Sequence, residues 1–204
     1  MNYLAHVYLS GDDKHLAIGN FIADKVKGKQ FLQYPQTIQN GILLHRKIDS
    51  FTDSHPLFKK NVTLLFPIHR HYSRVIVDLF FDHYLAANWH KYHHLTLKSF
   101  SVKFYDTIQN YEGKLPESIL KMIPSLIKYD WFSAYASIDG LENILFQMSR
   151  RTRFESNMDY AIKQLNENYQ SIANDFQAFF EAVKSFSQKE IANLLIAVES
   201  VFWN

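Results

Sequence analysis

The sequence predicts an all-α fold, a single-domain helical bundle over residues 1–204. Three observations carry that prediction. Apolar residues recur at helical spacing nearly throughout; "HLAIGNFIADKVKG", for example, places Leu16, Phe21 and Val26 among polar positions. Only 6 glycines and 5 prolines occur in 204 residues, few for a turn-rich all-β chain. No linker, repeat or low-complexity run divides the chain. Its 47% apolar and 16% aromatic content suffices for one large core and argues against disorder.

Each element has its own signature. The first helix runs through "HLAIGNFIADKVKG" to Gly28, a residue suited to a C-cap. Pro35 opens the second at a favoured first-turn position, and "QTIQNGILLHRKIDSFTD" continues it until Pro56. "PLFKKNVTLLF" leads through Pro67 into "IHRHYSRVIVDLFFDHYLAANWHKY", predicted as one long helix. "TLKSFSVKFYDTIQNY" follows and breaks at "EGKLP". Pro124 is expected to kink "ESILKMIPSLIKYDWF" or split it. Asp139 is the expected N-cap of "DGLENILFQMSRRT". From about Met158 to Trp203 the pattern is that of a long helix followed by a C-terminal one. The final run "IANLLIAVESVFWN" suits a core helix or a dimer face equally, which leaves the oligomeric state open.

Composition narrows the function class. Lys plus Arg is 22 and Asp plus Glu is 20, a net charge of +2 that does not announce nucleic acid, and no long basic stripe or stacking motif is visible. The absence of cysteine excludes disulfides, thiolate metal sites and cysteine nucleophiles together. The start "MNYLAHVYLSGDDKH" lacks a basic leader region, so no signal peptide is expected. Nothing approaches 18 uncharged apolar residues, so no membrane span is expected either, and a cytoplasmic location is the default.

The ionisable groups fall in a pattern. In "GILLHRKIDSFTDSH", His45, Asp49 and Asp53 stand four residues apart and project from one helix face. Two carboxylates so placed repel each other unless a divalent cation turns repulsion into attraction. Asn20 and Asp24 share a face of the first helix, and Asp78 and Asp82 share one in the apolar "VDLFFDHYLA", with His83 adjacent. His6 lies in an apolar N-terminal stretch. Helical bundles build metal sites from side chains on facing helices in this way. Each group also has a plain structural alternative: His6 as a hydrogen-bonded core residue, Asp49 and Asp53 as surface partners of Arg46 and Lys47, Asn20 as a packing amide.

In that order along the chain, "MNYLAH", "GNFIADKVKG", "GILLHRKIDSFTDSH", "DLFFDHYLAANW" and "MSRR" resemble the acyl carrier protein phosphodiesterase family over roughly Met1 to Arg153. The resemblance implies an enzyme that hydrolyses the phosphodiester joining 4′-phosphopantetheine to a serine of holo acyl carrier protein. It also implies a divalent metal, manganese in the first instance with magnesium as the alternative, a role in fatty acid biosynthesis, and a distant likeness to the HD-type phosphohydrolases. The matching positions are His6, Asn20, Asp24, His45, Arg46, Asp49, Thr52, Asp53, Asp78, Asp82, His83 and Arg151. One departure stands out: the adjacent pair here runs Asp82 then His83, the reverse of an HD motif.

On those positions, Asp24, Asp49, Asp53 and Asp82 are expected to hold the metal, with His6, His45 or His83 completing its shell. Arg46 and Arg151 are expected to grip phosphate bidentately, with Asn20 and Thr52 also lining the substrate. Asp24, His45, Asp49 and Arg46 form the expected catalytic group, His45 being first choice to protonate the departing serine oxygen. Acyl carrier proteins are acidic, and "KVKGK", Arg46–Lys47, Arg70, Arg74 and "RRTR" offer a basic rim that would steer such a partner. Two rival readings remain: a metal phosphohydrolase of nucleotides or other small phosphodiesters, and a non-catalytic helical binding protein whose acidic pairs are structural.

Overall fold

Helices run from one end of the chain to the other. The computed structural model describes residues 1–152, 154 and 156–202, without the side chains of 195–202. Among the described residues there is no strand. In chain order the α-helices are α1 (Tyr3–Tyr8), α2 (Lys14–Ile22), α3 (Gln36–Ser54), α4 (Pro56–His69), α5 (Ser73–Ala87), α6 (Leu97–Gln109), α7 (Glu117–Lys128), α8 (Trp131–Ala134), α9 (Ile138–Ser149) and α10 (Ala161–Phe202). Their apolar faces meet in one core, in which the fully buried Phe58, Phe176 and Phe179 pack edge-to-face or tilted around Phe81. Among the described residues, no helix is long and apolar enough to cross a membrane.

Several boundaries differ from the sequence expectation, each for a local reason. The first predicted helix stops at Ile22 and tightens into a 3₁₀ turn, Ala23–Lys25; Gly28, at φ 52°, starts a second 3₁₀ segment, Gly28–Gln33, instead of capping the first helix. The long helix predicted after Pro67 does not form. α4 carries Pro67 within it and ends at His69, whose buried ring faces Ser156 O and Gln164 Oε1; Arg70 then turns at φ 50° through a 3₁₀ turn into α5. Pro124 does not split α7, whose buried Ile119, Ile123 and Leu126 hold both sides of the proline to the core. Ser137, not Asp139, caps α9: its Oγ accepts from Gly140 N, and Asp139 sits in the first turn. The two predicted C-terminal helices are one, because a stripe of Leu165, Ile172, Phe176, Phe179, Phe180 and Val183 runs unbroken along α10. Trp203 and Arg153 lie outside the described residues.

α1 has only six residues, too short to stand as a helix alone. Its neighbours hold it. The Asn2 side chain and the buried Asp82 carboxylate of α5 take up its N-terminal amides: Asp82 Oδ1 accepts from Asn2 N at 3.2 Å and Oδ2 from Leu4 N at 3.0 Å. Asp78, one turn back on α5, pairs with the Met1 ammonium at 2.6 Å. At the other end, Ser10 Oγ donates to His6 O, and Ser187 Oγ of α10 donates to Leu9 O at 2.7 Å.

α2 and α3 make the closest helix contact in the chain's first third, and two glycines allow it. A Cβ on Gly19 would lie 2.3 Å from Ile38 O and 2.9 Å from Gly41 Cα; one on Gly41 would lie 2.2 Å from Leu16 O and 2.8 Å from Asn20 N. All of these are backbone atoms, which have nowhere to retreat. The crossing therefore fixes Asn20, next to Gly19, against His45, one turn beyond Gly41. Helix propensity alone favours Gly41→Ala by about 1 kcal/mol, but the clash requires the two backbones to part. The steric effect is expected to win: urea denaturation of Gly41→Ala will show a loss of about 2 kcal/mol or more. A gain in stability would refute the contact.

Candidate metal centre

Behind the α2–α3 crossing the chain gathers five polar side chains from four segments. α1 supplies His6, α2 Asn20, the 3₁₀ turn after it Asp24, and α3 both His45 and Asp49 at the i, i+4 spacing that puts them on one face. The two imidazole rings lie nearly parallel, centroids 4.0 Å apart and 21° between planes. Both Nδ1 atoms face Asn20 Oδ1, at 2.8 Å from His6 and 3.1 Å from His45. Both Nε2 atoms face the carboxylates. His6 Nε2 lies 3.1 Å from Asp49 Oδ1, and His45 Nε2 lies 3.1 Å from Asp49 Oδ2 and 3.2 Å from Asp24 Oδ1. The histidine and asparagine side chains are buried, whereas those of Asp24 and Asp49 are 56% and 43% exposed. Nitrogens thus line the floor and carboxylates the open mouth.

The rings carry different charges. Burial, reinforced by the positive His45 beside it, pushes His6 down to about 4, so it is neutral near pH 7. Burial also opposes a charge on His45, but its hydrogen bonds to Asp24 and Asp49 outweigh burial and hold it up to about 9. Asp49 is half-shielded, which alone would raise its pKa; the histidines' contacts overcome this and keep the carboxyl well below its usual range. The His45 hydrogen bond likewise lowers Asp24. Two parallel rings at 4.0 Å would repel if both were charged, and the fold avoids that.

The residues suit a divalent cation. His6, His45 and Asp49 each offer one ligand atom, and the three atoms lie within 4.8 Å of one another. His6 Nε2 is buried and makes no hydrogen bond, although it lies 3.1 Å from Asp49 Oδ1. A bare imidazole nitrogen beside a carboxylate is the mixed donor set that first-row divalent metals accept.

Other predicted site residues lie elsewhere. Asp82, fully buried, is occupied by the α1 amides; burial raises its pKa to about 7, and it does not reach the cluster. His83 points the other way from α5, its Nδ1 donating to Tyr135 O at 2.8 Å and its Nε2 2.9 Å from Tyr169 Oη. Asp53 forms an exposed ion pair with Arg74. Arg46 does not face the carboxylates: it donates to Val26 O at 3.1 Å and Gly28 O at 2.9 Å and covers the Phe31 ring, pinning the 3₁₀ segment to α3. Thr52 is 1% exposed and Asn20 fully buried, so neither lines an open substrate path. Arg151 is exposed in the turn after α9. Two features escaped the sequence reading. Tyr3, pushed up to about 12 by burial and then by the charge of Asp24, stays a protonated phenol. The Gly19–Gly41 crossing is the other; two glycines inside helical runs, each within a turn of a polar candidate, were its only signal.

On fold and donor set, the class is that of all-α proteins presenting a histidine–carboxylate centre to solvent. Comparison with known proteins supplies the family. A family model described as "Acyl carrier protein phosphodiesterase" matches residues 1–183, and the chain belongs to that family of enzymes. Relatives carrying that same name include one from Yersinia pestis, 27% identical over 189 residues, covering 92% of this chain and 98% of the relative. Another, from Photorhabdus laumondii subsp. laumondii, is 29% identical over 181 residues, covering 88% and 89%. A third, from Serratia proteamaculans, is 27% identical over 182 residues, covering 88% and 94%. No solved structure matches the chain.

The histidine charges carry a signature in the metal-free protein. His45 is raised, so its contribution to stability is complete below its unfolded value of 6.5 and is lost as pH rises through about 9. His6 is lowered and makes stability fall as pH drops from 6.5 towards 4, but Asp82, raised to about 7, acts in the opposite sense over that range. Between pH 7 and 9 His45 acts together with the Met1 ammonium, raised against the opposing effect of burial by the charge of Asp78, so the His45 share is the difference between the wild type and a His45 variant. With chelator present, the melting temperature will fall across this interval, and His45→Gln will flatten the slope. An equally steep fall in the variant would remove His45 as its source.

Proposed function

We propose that this protein is a metal-dependent phosphodiesterase that cleaves the phosphodiester between 4′-phosphopantetheine and the serine of holo acyl carrier protein, releasing apo acyl carrier protein and phosphopantetheine. The observation that carries the reading is the convergence of His6 Nε2, His45 Nε2 and an Asp49 oxygen within 4.8 Å, at a mouth open on the carboxylate side. The family relationship and the relatives' names supply the substrate.

His6, His45 and Asp49 would hold the cation, with Asp24 closing the exposed side. When bound, a divalent ion such as Mn²⁺ supplies Lewis acidity to a phosphoryl oxygen and to the attacking water. The chain's own residues do the rest. The buried rings close the floor, so the phosphodiester approaches only from the Asp24–Asp49 side. Asp24, the more exposed carboxylate at 56%, is placed to accept a proton from water arriving there. The Tyr3 phenol, close enough to feel the charge of Asp24, is still protonated at neutral pH and would be a hydrogen-bond donor for a group that reaches it. His45 is engaged by Asp24, Asp49 and Asn20 at once, so the proton for the departing serine oxygen is better sought in Tyr3 or in water than in His45.

Mass spectrometry of holo acyl carrier protein incubated with the protein and Mn²⁺ tests the reading. The expected product is the carrier lacking its phosphopantetheine mass, with turnover abolished by chelator and lowered about 100-fold or more in Asp49→Asn. Cleavage of small phosphodiesters alone would favour a small-molecule phosphohydrolase. Binding without turnover, indifferent to metal, would leave the cluster as a structural ion-pair network.

A further inference from the structure

We infer that Asn20 is a positioning residue that fixes the orientation of both histidine rings and the tautomer of His6, so that each ring turns Nε2 and not Nδ1 towards the carboxylates. The inference rests on the metal reading only for its consequence; its geometry stands without it. Asn20 Oδ1 accepts from His6 Nδ1 at 2.8 Å and from His45 Nδ1 at 3.1 Å, and a carbonyl oxygen has two lone pairs, one for each ring. The amide cannot be turned round. Its Nδ2 donates to His6 O at 2.9 Å and to Ser10 Oγ at 2.9 Å, while the Ser10 hydroxyl donates to His6 O at 2.9 Å. Ser10 Oγ is thereby left as an acceptor for Asn20. Flipping the amide would set its oxygen against the His6 carbonyl oxygen and its NH₂ against both rings.

Burial makes this arrangement binding, since Asn20, His6 and Ser10 are 0%, 2% and 2% exposed. With a proton on each Nδ1, His6 is left with a bare Nε2, the same buried nitrogen that has no hydrogen-bond partner. The near-parallel rings then point their Nε2 atoms the same way, that of His6 bare and that of His45 carrying a proton to Asp24 and Asp49, which it would release on ligating a cation. Metal-ligating histidines commonly donate their other N–H to a carboxylate or carbonyl that orients the ring. Here a single amide serves two rings, and because it is neutral it adds no charge behind them. Its full burial excludes the substrate-lining role that the sequence suggested for Asn20.

Nitrogen-15 NMR of the histidine rings in chelator-treated protein tests the claim directly. In the wild type, both Nδ1 atoms are expected to carry protons and His6 Nε2 to be bare. Asn20→Leu, similar in shape but without the acceptor, is expected to move the His6 proton to Nε2 and to weaken Mn²⁺ binding, read by isothermal titration calorimetry, by about tenfold or more. A bare Nδ1 on either ring of the wild type overturns the inference. So does a folded Asn20→Leu that binds Mn²⁺ as tightly as wild type. Should Asn20→Leu fail to fold, the wild-type spectrum decides alone. If the wild type does not bind Mn²⁺, the metal reading fails, and the spectrum still judges the tautomers.

Discussion

With no Cβ at Gly19 or Gly41, α2 and α3 come backbone to backbone, and the geometry of the centre is measured from that crossing. A methyl on either residue would sit under 2.5 Å from a carbonyl oxygen of the facing helix, inside any tolerable contact. The close approach brings Asn20 of one helix within hydrogen-bond range of His45 of the other. From there the chain of dependence runs outward. Asn20 reaches His6 across to α1, and α1 is held at its own N-terminus by Asp82 and Asp78 of α5. A cluster of five polar side chains therefore draws on α1, α2, α3 and α5, and no one of them would hold it alone.

Burying two imidazoles is costly unless every nitrogen is accounted for. The fold meets that cost asymmetrically. It leaves one ring neutral and gives the other two carboxylate partners at the solvent boundary, where their own charges remain hydrated. Three of the four ring nitrogens are thereby partnered, and His6 Nε2 is left without a hydrogen bond.

The helical character of the chain, and most of its segments, were legible because apolar spacing is a local property. So was the sharing of one face by His45 and Asp49, since four residues on a helix are one turn apart. Asp53, one turn further, belongs to the same face by spacing, yet it pairs with Arg74 at the surface. Asp82 and His83 show why adjacency misleads on a helix. Consecutive residues point about 100° apart, so one turns to α1 and the other to Tyr135 and Tyr169. Arg46 stands in the same relation to His45, and its guanidinium goes to the carbonyls of the preceding 3₁₀ segment rather than to the carboxylates. The break after His69 was invisible because it depends on Ser156 and Gln164, nearly ninety residues away or more.

By itself the sequence determined that the chain is helical, that it carries three polar pairs on otherwise apolar helices, and, through its ordered motifs, the family it resembles. Tertiary structure decided which of those pairs meet. Intrahelical spacing fixes distances along one face to within a turn, but the distance between two faces depends on how closely their backbones approach and on what anchors their ends. The glycine crossing brought Asn20 and Asp24 to His45 and Asp49, whereas the need to satisfy the amides of α1 took Asp82 away from them.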